Sequence, residues 1–91
     1  MASRKKLKRN VDYIAGGLCA KCLLNITREA VNKDEMEKII VRIFIMQEEF
    51  TTRLNHPDTE NTKEFYKQFY SDFNARQKEI IDAIAALNPG N

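Results

Sequence analysis

Two thiols in Cys19-Ala20-Lys21-Cys22 are the pattern in this chain that most suggests chemistry, because thiolates at that spacing serve structural zinc sites and dithiol redox centres. A structural zinc takes four ligands, and the one other soft ligand is His56, which falls in a different part of the chain. A catalytic dithiol sits at a helix N-terminus after a strand, where the dipole lowers the thiol pKa. Cys19 reads instead as mid-helix, with no strand pattern nearby. Both thiols fall on or beside an apolar stripe, so buried, reduced structural cysteines are expected. Zinc shared with a partner chain and redox sensing are the alternatives.

Acid–base catalysis asks for titratable groups that converge in a pocket. His56 stands alone beside Pro57 in a turn, where it suits a loop or a helix C-terminal charge partner. Asp34-Glu35 and Glu48-Glu49 are adjacent on helices and therefore point apart, as on a solvated face. No glycine-rich phosphate loop, nucleophile elbow or metalloprotease motif is present in the sequence. The expectation is a protein without catalytic residues, metal site or cofactor, and no small-molecule substrate is inferred.

The most specific feature outside the apolar pattern is basic. Arg4, Lys5, Lys6, Lys8 and Arg9 place five cations at a helix N-terminus, where they oppose the macrodipole of their own helix. A nucleic-acid phosphate backbone would attract them through counterion release, and anionic lipid headgroups are a second target. The plainer account is a solvated, frayed terminus that aids solubility while Leu7 enters the core. Tyr66, Phe69, Tyr70 and Phe73 resemble a base-stacking row, but their spacing places them in a helical core with Tyr70 the most exposed. Phe44 and Phe50 are expected to pack opposite them.

These residues have to be positioned by helices. Pro57, Pro89, Gly16, Gly17 and Gly90 are the only breakers, too few for strands joined by tight turns. Leu7, Val11, Ile14, Leu18, Cys22 and Ile26 recur at three and four residues and predict a first helix over about 5–30, widened by Ala15 and Cys19. Gly16-Gly17 leave a bend open within it, each glycine costing about 1 kcal/mol relative to alanine. Asn32 and Glu35 have capping-box spacing for a second helix, with core residues Met36, Ile39, Ile40, Ile43, Gln47, Phe50 and Leu54, flanked by Phe44 and Met46. Asn55-His56-Pro57 stops it. Val41 and Ile45 point away from that stripe, toward a third helix or a second subunit. Asn61 and Glu64 repeat the cap, and Phe65, Tyr66, Phe69, Phe73, Ile80, Ile84 and Leu87 make the broad face of a third helix ended by Asn88-Pro89-Gly90. Short links force neighbours antiparallel, so the fold class is all-α, an up-down-up three-helix bundle.

At 91 residues, 43% hydrophobic and 31% charged, the chain is one globular domain: a basic arm at 1–9 running into the first helix, the bundle at 10–88 and a tail at 89–91. A domain this small buries only about 60–65% of its unfolded surface, so association would help it. The net charge of +2 conceals an asymmetry, because the body beyond the arm holds 10 basic and 13 acidic residues. Asp12 and Lys21 interrupt any signal-peptide core, and no small residue precedes either cysteine as a lipoprotein site would require. The longest apolar-rich segment, 39–46, contains Arg42 and falls well short of the roughly 20 residues that span a bilayer. A cytoplasmic address is expected.

From Lys5-Lys6-Leu7-Lys8-Arg9 through Val11-Asp12-Tyr13-Ile14 to Leu18-Cys19-Ala20-Lys21-Cys22, the sequence resembles a family of small all-α proteins from anaerobic gut bacteria with no assigned activity. His56-Pro57, Phe65-Tyr66-Lys67 and Ile80-Ile81-Asp82 extend the resemblance over most of the chain. It implies a bacterial, cytoplasmic three-helix protein and carries over no functional residue. Those sequences have an acidic residue where Lys21 stands, which further weakens a zinc reading.

The leading expectation is a non-enzymatic bundle acting through protein–protein contact, as a homodimer or in a larger assembly, with Val41 and Ile45 at the interface. The alternative, from a different class, is a nucleic-acid-associated accessory protein using Arg4, Lys5, Lys6, Lys8 and Arg9 as a sequence-independent phosphate clamp.

Overall fold

The computed structural model describes residues 4–27, 31–57 and 60–87. They form helices α1 (Arg4–Ile26), α2 (Lys33–Asn55) and α3 (Thr62–Leu87), with no strand among the described residues. The fold is therefore the all-α three-helix bundle that the apolar spacing implies. No helix among the described residues is long and apolar enough to cross a membrane.

Local chemistry sets the helix ends. Helix α1 stops at Ile26 rather than near residue 30, and the Thr27 hydroxyl donates to the Leu24 carbonyl oxygen at 2.7 Å, satisfying one of the last-turn acceptors. Residues 28–30, the end of the longer expected helix, lie outside the described residues. Asn32 caps α2: its Oδ1 accepts from the Glu35 amide at 3.1 Å. The reciprocal half of the expected box is not made, because the Glu35 carboxylate turns outward to Lys38 at 3.0 Å. At the far end the His56 amide donates to the Arg53 carbonyl at 3.2 Å, closing α2 just before Pro57. Asn61 Oδ1 accepts from the Glu64 amide at 3.4 Å and opens α3.

Helix α2 is the spine. It packs against both neighbours, whereas α1 and α3 scarcely touch each other. Asp12 Oδ1 on α1 accepts from Gln47 Nε2 on α2 at 2.8 Å. On the other flank Arg76 pairs with Glu49 at 2.9 Å and Arg53 with Asp72 at 3.0 Å. These contacts fix antiparallel registers on both sides of α2. Each is partly exposed and contributes about 0–1 kcal/mol, so they set alignment more than stability.

Stability comes from the buried stripe. Leu7, Val11, Ala15, Leu18 and Cys22 of α1 meet Met36, Ile39, Ile43, Met46, Phe50 and Leu54 of α2 and Phe69, Phe73, Ile80 and Ile84 of α3 in one cluster. Phe50 packs edge-on to Phe69 and Phe73, with ring centroids 5.4 and 5.1 Å away. Arg53 lies over the Phe50 and Phe69 rings at 5.1 and 5.6 Å while it pairs with Asp72, so one guanidinium roofs the aromatic layer and joins the helices.

Several expected positions differ. Phe44 is exposed and takes no part in the aromatic cluster, because six residues from Phe50 is roughly 120° around the helix. Met46, four residues away and so roughly 40° off, is buried instead, while Gln47 is half-buried and turned to Asp12. On α1, Asn25 lies in the buried stripe, where the spacing suggested only Cys22 and Ile26. No buried side-chain polar atom among the described residues lacks a hydrogen-bond partner. Gly16 and Gly17 lie inside an uninterrupted α1.

Candidate functional site

Two surfaces gather the residues that packing leaves over. The first is the outer face of α2. Val41, nine residues from Phe50, stands roughly 180° from the core, and Ile45 roughly 140°. Both remain open, at 55% and 54% exposure, and Phe44 joins them at 57%. Ile45 borders a cleft with Arg76 and Glu79 of α3 and keeps more than half of its surface open, while α1 and α3 cover the flanks of α2 and leave its outer side to these three apolar side chains. Glu48 and Lys38 flank the group along the helix, both exposed.

The second surface is the end of the bundle where α1 begins. Arg4, Lys5, Lys6, Lys8 and Arg9 all lie within the first two turns of α1, so these five cations are carried on the helix itself. Their directions divide them. Arg4, Lys5 and Lys8 line a cleft with Asn55, the last residue of α2. The α2 C-terminus carries the negative end of its dipole, so cations unfavourable to their own helix are favourable to its neighbour. Lys6 and Arg9 face the other way. With Leu7, Asn10, Tyr13 and Tyr70 they line a groove of about 440 Å³ between α1 and α3, the pair of helices that barely meet. Tyr13 is 80% exposed and Tyr70 40%, so each offers a ring to solvent beside a cation.

The chain matches no protein-family model, no curated protein and no solved structure.

The cysteines contribute little to either surface. Cys22 is buried in the core and Cys19 half-buried beside it, both as free thiols. Burial pushes both above the ordinary thiol range, and at Cys22 repulsion from a Cys19 thiolate adds to it. A raised pKa lowers the thiolate fraction near neutrality, which slows oxidation and weakens metal ligation. Among the described residues no three His, Cys, Asp or Glu side chains converge as a metal site would need. His56 is exposed just beyond the end of α2.

The sequence alone indicated the α2 face through Val41 and Ile45 and missed Phe44, whose angle from Phe50 was the available signal. Tyr13 was also missed. Its exposure follows from lying two residues past Val11, outside the α1 stripe, but its place beside Tyr70 depends on the α1–α3 register.

Proposed function

We propose that the protein is a non-enzymatic, cytoplasmic association module that docks through the outer face of α2, with a second copy of the chain as its occupant. The observation that carries this is the group Val41, Phe44 and Ile45, three large apolar side chains more than half exposed on one face of the central helix. Water gains about 25 cal/mol for each Å² of such surface withdrawn from it, and nothing inside the bundle withdraws it. The small core supplies a second motive, since a chain of this size buries a limited share of its surface by itself.

The double variant Val41→Glu with Ile45→Glu tests it by sedimentation velocity and circular dichroism. The expected result is a monomer of unchanged helicity from a wild-type chain that dimerises, because both positions are exposed and distant from the core. Unchanged oligomer mass with normal helicity would remove the idea.

A second reading is favoured by the groove between α1 and α3: single-stranded nucleic acid held by Lys6 and Arg9, with bases stacked on Tyr13 and Tyr70. Stacking contributes about 1–3 kcal/mol per base, and the cations would make binding salt-sensitive. Fluorescence anisotropy with labelled single strand and duplex is expected to show salt-dependent binding to the single strand, weakened about tenfold in Tyr13→Ala. Equal affinity for duplex, or none in low salt, would leave the groove without this role.

A further inference from the structure

Along the outer face of α2, Asp34, Lys38, Val41, Ile45, Glu48 and Thr52 follow one another at alternating steps of four and three residues, the spacing of a coiled-coil seam. All six are exposed. The series is also a palindrome in chemistry about Ile43. Reversed onto itself, Val41 falls opposite Ile45, Lys38 opposite Glu48 and Asp34 opposite Thr52.

We infer that two copies pair α2 against α2, antiparallel, about a two-fold axis level with Ile43. This rests on the association reading above and specifies its geometry. A two-fold interface is isologous, so each favourable pair occurs twice. Here the apolar pair lies on both sides of the axis, an ammonium–carboxylate pair one layer further out, and a carboxylate–hydroxyl pair beyond that. Phe44 lies to one side of the seam and one residue from the axis, so the two copies bring their Phe44 rings to the same side and close the edge of the apolar layers. A parallel pairing reverses the logic: Lys38 would meet Lys38 of the other copy and Glu48 would meet Glu48, two like-charge contacts. Lys38 is already paired with Glu35 at 3.0 Å, but that contact is between neighbours on one exposed helix surface and leaves the ammonium free to turn. With two central apolar layers the interface belongs to the small, reversible class, below about 1,200 Å².

Charge reversal tests the register. Lys38→Glu creates two Glu–Glu contacts in the antiparallel pair, and sedimentation equilibrium is expected to show dimerisation weakened about tenfold. Lys38→Glu with Glu48→Lys in the same chain restores opposite charges across the axis and is expected to return the wild-type constant. Thermal unfolding of both variants at concentrations where they are monomeric checks that the helix itself is intact. If Val41→Glu with Ile45→Glu abolishes the dimer but Lys38→Glu leaves it unchanged, the antiparallel register is wrong while the docking face stands. A single reversal that is not restored by the swap also overturns the register. Wild-type chain that stays monomeric overturns both.

Discussion

Phe50→Ala is expected to remove about 3–5 kcal/mol of stability, enough to leave a substantial unfolded population at room temperature. Phe50 is 1% exposed and is the α2 ring that faces Phe69 and Phe73 at 5.4 and 5.1 Å. Truncation forfeits the transfer free energy of the ring, leaves a cavity that rigid helix backbones fill incompletely, and dissolves two edge-on aromatic pairs worth about 0.5–1.5 kcal/mol each. It also takes away one of the two faces on which the Arg53 guanidinium rests. The loss is large against the whole, because a domain holds about 5–15 kcal/mol and a small one sits toward the lower end. Urea titration followed by circular dichroism measures it. Phe44→Ala, on the same helix with an identical change of side chain, is expected to stay within about 0.5 kcal/mol of wild type in dilute monomer. Equal losses at the two positions would contradict the orientation of α2 described above.

That contrast also shows what the sequence could and could not convey. Hydrophobicity alone treats Phe44 and Phe50 alike, and only their angular separation distinguishes them. The helices themselves were legible because a 3.6-residue rhythm is local: Leu7, Val11, Leu18 and Cys22 announce one face of α1 whatever it packs against. Caps were legible for the same reason, although the choice of Lys38 by Glu35 over the helix end was not. Inter-helix register was out of reach. Asp12–Gln47, Glu49–Arg76 and Arg53–Asp72 each join residues from different helices, and nothing local marks them as partners. The cationic turn of α1 shows the cost of missing register most clearly. Judged on α1 alone, Arg4, Lys5 and Lys8 are unfavourable to the fold. Beside Asn55 they face the negative end of α2, which supplies a structural reason for three of the five cations.

Replacing Gly16 and Gly17 together by alanine is expected to stabilise the monomer by about 2 kcal/mol. Both glycines lie inside α1, where the missing side chain lets the unfolded backbone sample more conformations and costs about 1 kcal/mol each. A Cβ built at either position meets nothing within 4 Å, so the substitution introduces no clash to set against that gain. For a domain of this size 1 kcal/mol moves the melting temperature by about 4–8 °C, which puts the double variant roughly 8–16 °C above wild type in a thermal scan. An unchanged or lower midpoint would mean that α1 needs the glycines, through a bend or a close approach that its straight apolar stripe does not require. A rise accompanied by loss of dimerisation or of single-strand binding would mean something different: the bare backbone of α1 would then belong to a contact surface, and the glycines would be retained at the expense of the fold. A rise that left any dimerisation or single-strand binding unchanged would place the glycines outside the contact surfaces proposed on α2 and in the α1–α3 groove.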